Sequence, residues 1–141
     1  DQSSIWFNGV QIGGTEGWQS TESFEADAPC GGQGPTGTGH PVLAIQGEDT
    51  GGTGGLIAAV WHCGHETVTD TNCKCTDSVA ADEEAQGMQW YMNSFDDSGW
   101  SNALEGGING ADPWGHDDQI SSSSHWIWAQ DLQDIDVAYC R

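Results

Sequence analysis

Ile5-Trp6-Phe7-Asn8-Gly9-Val10-Gln11-Ile12 is the stretch on which the fold turns. An apolar run meets two residues that tolerate positive φ, and a second apolar run follows at once, which is the pattern of a β-hairpin closed by a two-residue turn. The same grammar continues outward. Short apolar or alternating runs are separated by Gly, Asp, Asn, Ser and Pro, and no long segment repeats its apolar residues at helical spacing. Pro41 to Gln46 reads as a buried strand, and Leu56 to Trp61 reads as its neighbour after a connection, 47–55, that holds five glycines. Ser23 to Ala26 reads as a short strand and Cys30 to Gly39 as a Gly- and Pro-rich loop. Trp126 to Trp128 and Ile135 to Tyr139 alternate and read as the last two strands, while Val79 to Gly87, acidic and Ala-rich, is the one short helix expected. The fold class is therefore all-β.

A length of 141 residues fits one domain over 1–141. The chain starts at Asp1 and shows no basic start followed by an apolar run, so the expectation is a secreted protein whose signal peptide has been removed, or one module of a longer precursor. The longest apolar stretch, Gly55 to Trp61, is far below the roughly 20 residues of a membrane-spanning helix, so membrane insertion is not expected. Lys74 and Arg141 are the only basic side chains against 22 Asp and Glu, a formal charge of −20. A polyphosphate backbone is bound by neutralising it, so nucleic acid is excluded as a partner, and anionic membrane surfaces with it. Such acidity repels itself unless cations screen it, which points to a saline or calcium-rich extracellular setting; a plain solubilising surface explains it equally well.

Five cysteines imply two disulfides and one remaining thiol in an oxidising compartment. The pairing favoured is Cys63 with Cys73, closing a short loop, and Cys75 with Cys140, tying the chain end to its middle. Cys30 is then unpaired or joined to another chain. His62-Cys63-Gly64-His65 with Cys73-Lys74-Cys75 invites a zinc reading, but its spacing matches no common paired zinc finger.

Trp6 to Gly13 with Trp18, then Pro41 to Ile45 with the Gly-rich connection and Gly54 to Ala58, then Phe95-Asp96-Asp97-Ser98-Gly99-Trp100 with Ala103, and finally Trp126 to Trp128 with Val137 to Arg141, together resemble the galactose-binding-like jelly-roll family. These β-sandwiches occur as non-catalytic sugar-binding modules of glycoside hydrolases and in cell-surface lectins. Phe-Asp-Asp-Ser-x-Trp is the most specific piece. The resemblance spans most of the chain apart from 14–40 and 62–90, and it implies a jelly-roll β-sandwich that binds carbohydrate, with the second Asp of the signature pinning the loop that delivers Trp100.

Eight tryptophans are many for this length, and aromatic faces are what sugar C–H faces stack on. Trp6, Trp61, Trp100, Trp126 and Trp128 lie in strand-like runs and are assigned to the core. Trp18, Trp90 and Trp114 sit among turn residues and are the ligand candidates, with Asp112 beside Trp114 to bond a hydroxyl. Asp96, Asp97, Asp117 and Asp118 are the candidate calcium ligands, because calcium takes six to eight oxygens, although no segment has the spacing of an EF-hand. Catalysis finds no support: the run Ser121 to Ser124 beside His125 lacks the Gly-x-Ser-x-Gly elbow, and no glycosidase carboxylate pair is visible from spacing. The expected function is an extracellular, non-catalytic, lectin-like domain, calcium-assisted, whose partner is a glycan or glycoprotein. A structural or adhesive subunit that self-associates into a filament or matrix is the alternative. There is no Asn-x-Ser/Thr sequon.

Overall fold

The structure, a computed structural model, describes residues 1–17, 19–27, 30, 40–133 and 136–141. Its first element is the hairpin: β1 (Gln2–Phe7) and β2 (Val10–Glu16) pair antiparallel, and the turn residues Asn8 and Gly9 take φ of 50° and 80°. Both central residues are in the left-handed region, as a turn matching the strand twist requires. Asn8 also anchors the hairpin to the next strand, since its N–H donates to the Val42 carbonyl at 2.9 Å and its Oδ1 accepts the Val42 N–H at 3.0 Å.

β3 (Leu43–Glu48) then lies against β1 with Ile5 opposite Ile45. Further along the chain come β4 (Ala59–His62), β5 (His65–Val68), β6 (Lys74–Thr76), α1 (Ala80–Gln86), β7 (Ser101–Asn102), β8 (Leu104–Ile108), β9 (His125–Trp128) and β10 (Val137–Cys140). Six strands form one antiparallel sheet in the order β2-β1-β3-β10-β6-β7, and β4-β5 and β8-β9 form two further antiparallel pairs. Leu56 exchanges backbone hydrogen bonds with Ile127 of β9, and Thr69, just past β5, accepts the His125 N–H, so these two pairs are stitched into one layer.

Strand alternation gives the six-stranded sheet two buried faces. Ile5, Ile45, Ala138 and Cys140 face a first core completed by Leu56, Ile127 and Trp128 of the second layer. Their chain neighbours Trp6, Ala44 and Tyr139 face a second core built from Val79, Trp90, Phe95 and Trp100, in the segment that carries α1. Gly47 belongs to the first face because a Cβ there would fall 2.7 Å from Leu56 and 2.9 Å from the Trp128 ring.

The helix runs one residue shorter at each end than the stretch read from sequence and stops at Gly87, whose φ of 65° is a left-handed cap. Leu56 is a single bridge residue, and β4 begins only at Ala59. The segment 23–26 forms no strand. The last strand starts at Val137; Ile135 lies outside the described residues. Residues 62–78, which hold three of the five cysteines, contain β5 and β6.

Cys75 and Cys140 are joined across directly paired positions of β6 and β10, and both are buried. The other expected bridge is corrected: Cys63 pairs with Cys30, and Cys73 is the free thiol. Cys63 occupies the tip of the β4-β5 turn at φ 55°, and β5 carries the chain away from that tip before Cys73 is reached. Cys73 instead packs against the first core and holds the Ala103 N–H on its carbonyl.

Candidate functional site

Trp114 is the organising residue. Its ring stacks on Trp126 with centroids 4.9 Å apart and planes 17° apart. Two glycines admit it: a Cβ at Gly55 or at Gly106 would fall 2.7 Å from the indole, so any larger residue would push the ring away. Loop 115–121 behind it is secured by Asn109, whose Nδ2 donates to the Ile120 carbonyl at 3.0 Å. Trp114 stays only partly buried and stands in the wall shared by two cavities.

The first cavity, of about 340 Å³, lies between Trp114, Pro113, the Gly-rich loop 51–55 and the start of the sheet. That loop is held from outside: Gly54 N–H donates to the Leu132 carbonyl, Gln133 Nε2 to Thr53 Oγ1, and Asp49 N–H to the Asp136 carbonyl. Asp1, Glu48 and Asp49 bring carboxylates to the rim. One oxygen of each is engaged by the chain: Asp1 Oδ1 by Thr50 N–H at 3.1 Å, Asp49 Oδ1 by Gly51 N–H at 3.1 Å, and Glu48 Oε1 by Gln46 Nε2 at 3.0 Å. The result is an aromatic wall, a glycine loop that lets a ligand approach the backbone, and fixed acceptors: the elements of a small polar-ligand site.

The second cavity, of about 690 Å³, continues from Trp114 between β1, β3 and the 56–62 segment. Its outer bank is the strap 19–27, which Phe24 holds against Gly13 and Thr21 holds through a hydrogen bond to Asp117. Beyond the strap, Cys30 is bonded to Cys63.

No protein-family model, curated protein or solved structure matches this chain.

The other expected site residues fall elsewhere. Trp90 is 4 % exposed and sits in the second core, with Trp6, Tyr91, Trp100 and Tyr139 around it; a turn position does not imply an outward ring when the turn lies on a sheet face. Trp18 lies outside the described residues, although Gly17 and Gln19 on either side of it line the second cavity. Asp112 is exposed and lines neither cavity, whereas Pro113 and Trp114 do. Trp61, assigned to the core from its strand-like run, is 71 % exposed, because its β4 position faces away from the packed layer. Its place at the second cavity had no signal in the alternation pattern.

The four candidate calcium ligands are not brought together. Asp96 Oδ1 accepts the Ser98 N–H at 3.0 Å, and its hydrogen bonds from the Ser98 side chain and backbone hold its carboxyl below the usual range. Asp97 faces Arg141 at 3.6 Å and takes the Trp100 N–H on its carbonyl. Asp117 accepts the Gln119 N–H, and Asp118 lies 3.1 Å from His116. Among the described residues the single group of three close His, Cys, Asp or Glu ligand atoms is Cys30, His62 and Cys63, and two of its sulfurs are bonded to each other. The zinc reading of residues 62–75 fails on the same ground, since Cys75 is bonded to Cys140 on another strand.

Phe95 to Trp100 is a structural corner. Trp100 Nε1 donates to Asp82 Oδ2 at 2.9 Å, and Arg141 reaches back to the Phe95 and Met92 carbonyls at 3.1 and 3.2 Å. Burial lowers the Arg141 guanidinium pKa, and Asp97 opposes that shift. Among the described residues no helix is long and apolar enough to cross a membrane.

Proposed function

We propose that this protein is an extracellular, non-catalytic carbohydrate-binding domain whose sugar stacks at Trp114. The observation that carries the reading is the half-exposed Trp114 ring, held by Trp126 and two glycines at a cavity whose rim presents carboxylates and backbone groups. Sugars are recognised by that combination: an apolar ring face against aromatic surface and hydroxyls against fixed polar groups. The antiparallel six-stranded sheet with a second β layer on one face supports a galactose-binding-like jelly roll, and two disulfides support an oxidising, extracellular location.

The test is glycan-array screening followed by calorimetric titration with the strongest hit. Trp114→Ala is expected to abolish binding and Trp114→Phe, which keeps a ring between the glycines, to weaken it. A glycan that binds equally to wild type and to both folded variants would refute the assignment.

A self-associating structural subunit is the second reading, favoured by the exposed Val10 on edge strand β2 and the neighbouring exposed Met92. Sedimentation that shows a monomer at high concentration would dismiss it. Cys30 offers it no link, being bonded to Cys63.

A further inference from the structure

The two cavities share more than Trp114. Ser3, Thr15, Gly17, Gly55 and Leu56 line both, so the space runs on from one to the other past the indole. The first part, at about 340 Å³, is at the small end of ligand sites, which run from about 300 to 1,000 Å³; the two parts together reach the upper end.

The second part differs in character from a closed core. Its floor is apolar, from Ile5, Leu43 and Ala58, while its banks are polar, from Gln19, Ser23, Gln119 and Ser121. Trp126, whose indole N–H is buried with no hydrogen-bond partner among the described residues, forms part of the wall. At the far side stands Trp61, 71 % exposed, opposite Glu66 of β5. An exposed tryptophan that lines a groove offers the same stacking surface as Trp114.

Carboxylates dominate the groove, beside His62, His116 and the amino group of Asp1. Asp1, Glu48 and Asp49 mark one part and Glu22, Glu66 and Asp117 the other, and neither lining contains Lys or Arg. The two basic side chains of the chain are engaged elsewhere, Lys74 with Asn102 at 2.7 Å and Arg141 with the Phe95 carbonyl. An anionic ligand entering this groove would lose hydration and meet like charge.

We infer that the Trp114 cavity is one subsite of a longer groove that takes an extended, non-acidic oligosaccharide, with Trp61 as the platform for its distal residues. This rests on the carbohydrate reading above and adds to it a ligand length and a ligand charge. Mixed apolar floor and polar banks suit a chain of pyranose rings, which present C–H faces and hydroxyls alternately; a purely apolar ligand would leave those banks unsatisfied.

The test is calorimetric titration of the wild type, Trp61→Ala and Trp114→Ala with neutral gluco- and manno-oligosaccharides from monosaccharide to hexasaccharide, and with oligogalacturonates of matched length. Trp61 is exposed, so its truncation leaves folding intact, which a thermal melt confirms. The expected result is a gain of about tenfold or more in affinity, ~1.4 kcal/mol, from monosaccharide to hexasaccharide. That gain disappears in Trp61→Ala while monosaccharide binding is unchanged, and the oligogalacturonates do not bind. A monosaccharide bound through Trp114 with no gain on lengthening, a gain that survives Trp61→Ala, or preference for the acidic series would each overturn the inference and leave the Trp114 site standing. No binding in any neutral series would overturn both.

Discussion

Asn109 and Asp117 hold each other reciprocally: the Asp117 N–H donates to Asn109 Oδ1 at 2.9 Å, and Asn109 Nδ2 donates back to the Asp117 carbonyl at 2.9 Å. The same amide also donates to the Ile120 and Ser121 carbonyls at 3.0 and 3.3 Å. One 6 %-exposed side chain thus stands in for the backbone partners that a loop beside Trp114 lacks.

Replacing it strands several partly buried groups at once. Asn109→Ala is expected to destabilise the fold by about 2 to 4 kcal/mol in denaturant titration. Asn109→Asp is expected to be at least as severe, because it sets a carboxylate against three carbonyl oxygens. A loss below about 0.5 kcal/mol for either would show that the loop is held by other means.

The two disulfides are expected to behave differently. Chain entropy assigns about 4 kcal/mol to each, given separations of 33 and 65 residues. Access separates them, since Cys30 and Cys63 are exposed while Cys75 and Cys140 are 1 % and 2 % exposed. A graded dithiol titration with alkylation and peptide mapping should label Cys30 and Cys63 first. Earlier labelling of Cys75 or Cys140 would contradict the arrangement.

Alkaline pH should weaken the fold through two acids whose neutral forms the structure favours. Burial raises the pKa of Tyr139, helped by Glu48 and Glu83, and burial raises that of Cys73 against a backbone hydrogen bond at Asp70 that lowers it. A group whose folded pKa is raised keeps its full contribution below the unfolded value and loses it as pH rises through the folded one. Stability is therefore expected to fall above about pH 8.5 for the thiol and about pH 10 for the phenol. Tyr139→Phe, which retains the edge contact with Trp90, should flatten the upper part of that decline in pH-dependent melts, and an unchanged slope would exclude Tyr139 as its source.

The hairpin was legible because Asn8-Gly9 admits so few conformations, and the buried state of Trp100, Trp126 and Trp128 followed from their strand-like runs. Trp61 and Trp90 were read the wrong way round for one shared reason. Alternation says which side chains share a face, but not which face another segment will cover, and here the 79–100 segment covers a face of the large sheet while β4 leaves Trp61 outside. Cys30 with Cys63 escaped for a related reason: contacts between distant segments leave no mark on local spacing. The partial exposure of Trp114 is legible from its turn setting, whereas the glycines that seat it, Gly55 and Gly106, come together only in the folded chain.

Net charge of −20 should make stability depend on ionic strength. Sodium chloride is expected to raise Tm progressively, and calcium at matched ionic strength to give the same rise, since the carboxylates at 96, 97, 117 and 118 are spread over separate turns. A larger, saturable rise with calcium would restore a specific cation site.

The large sheet is walled on both sides, and that divides the molecule into two halves of nearly independent tolerance to change. Substitutions more than about 7 to 10 Å apart with no shared neighbours add almost linearly. Variation in loops 49–55 and 112–121 therefore leaves the aromatic packing around Trp90 to stabilise the chain unaltered, and the cavity side of the scaffold can diverge while the other side stays fixed.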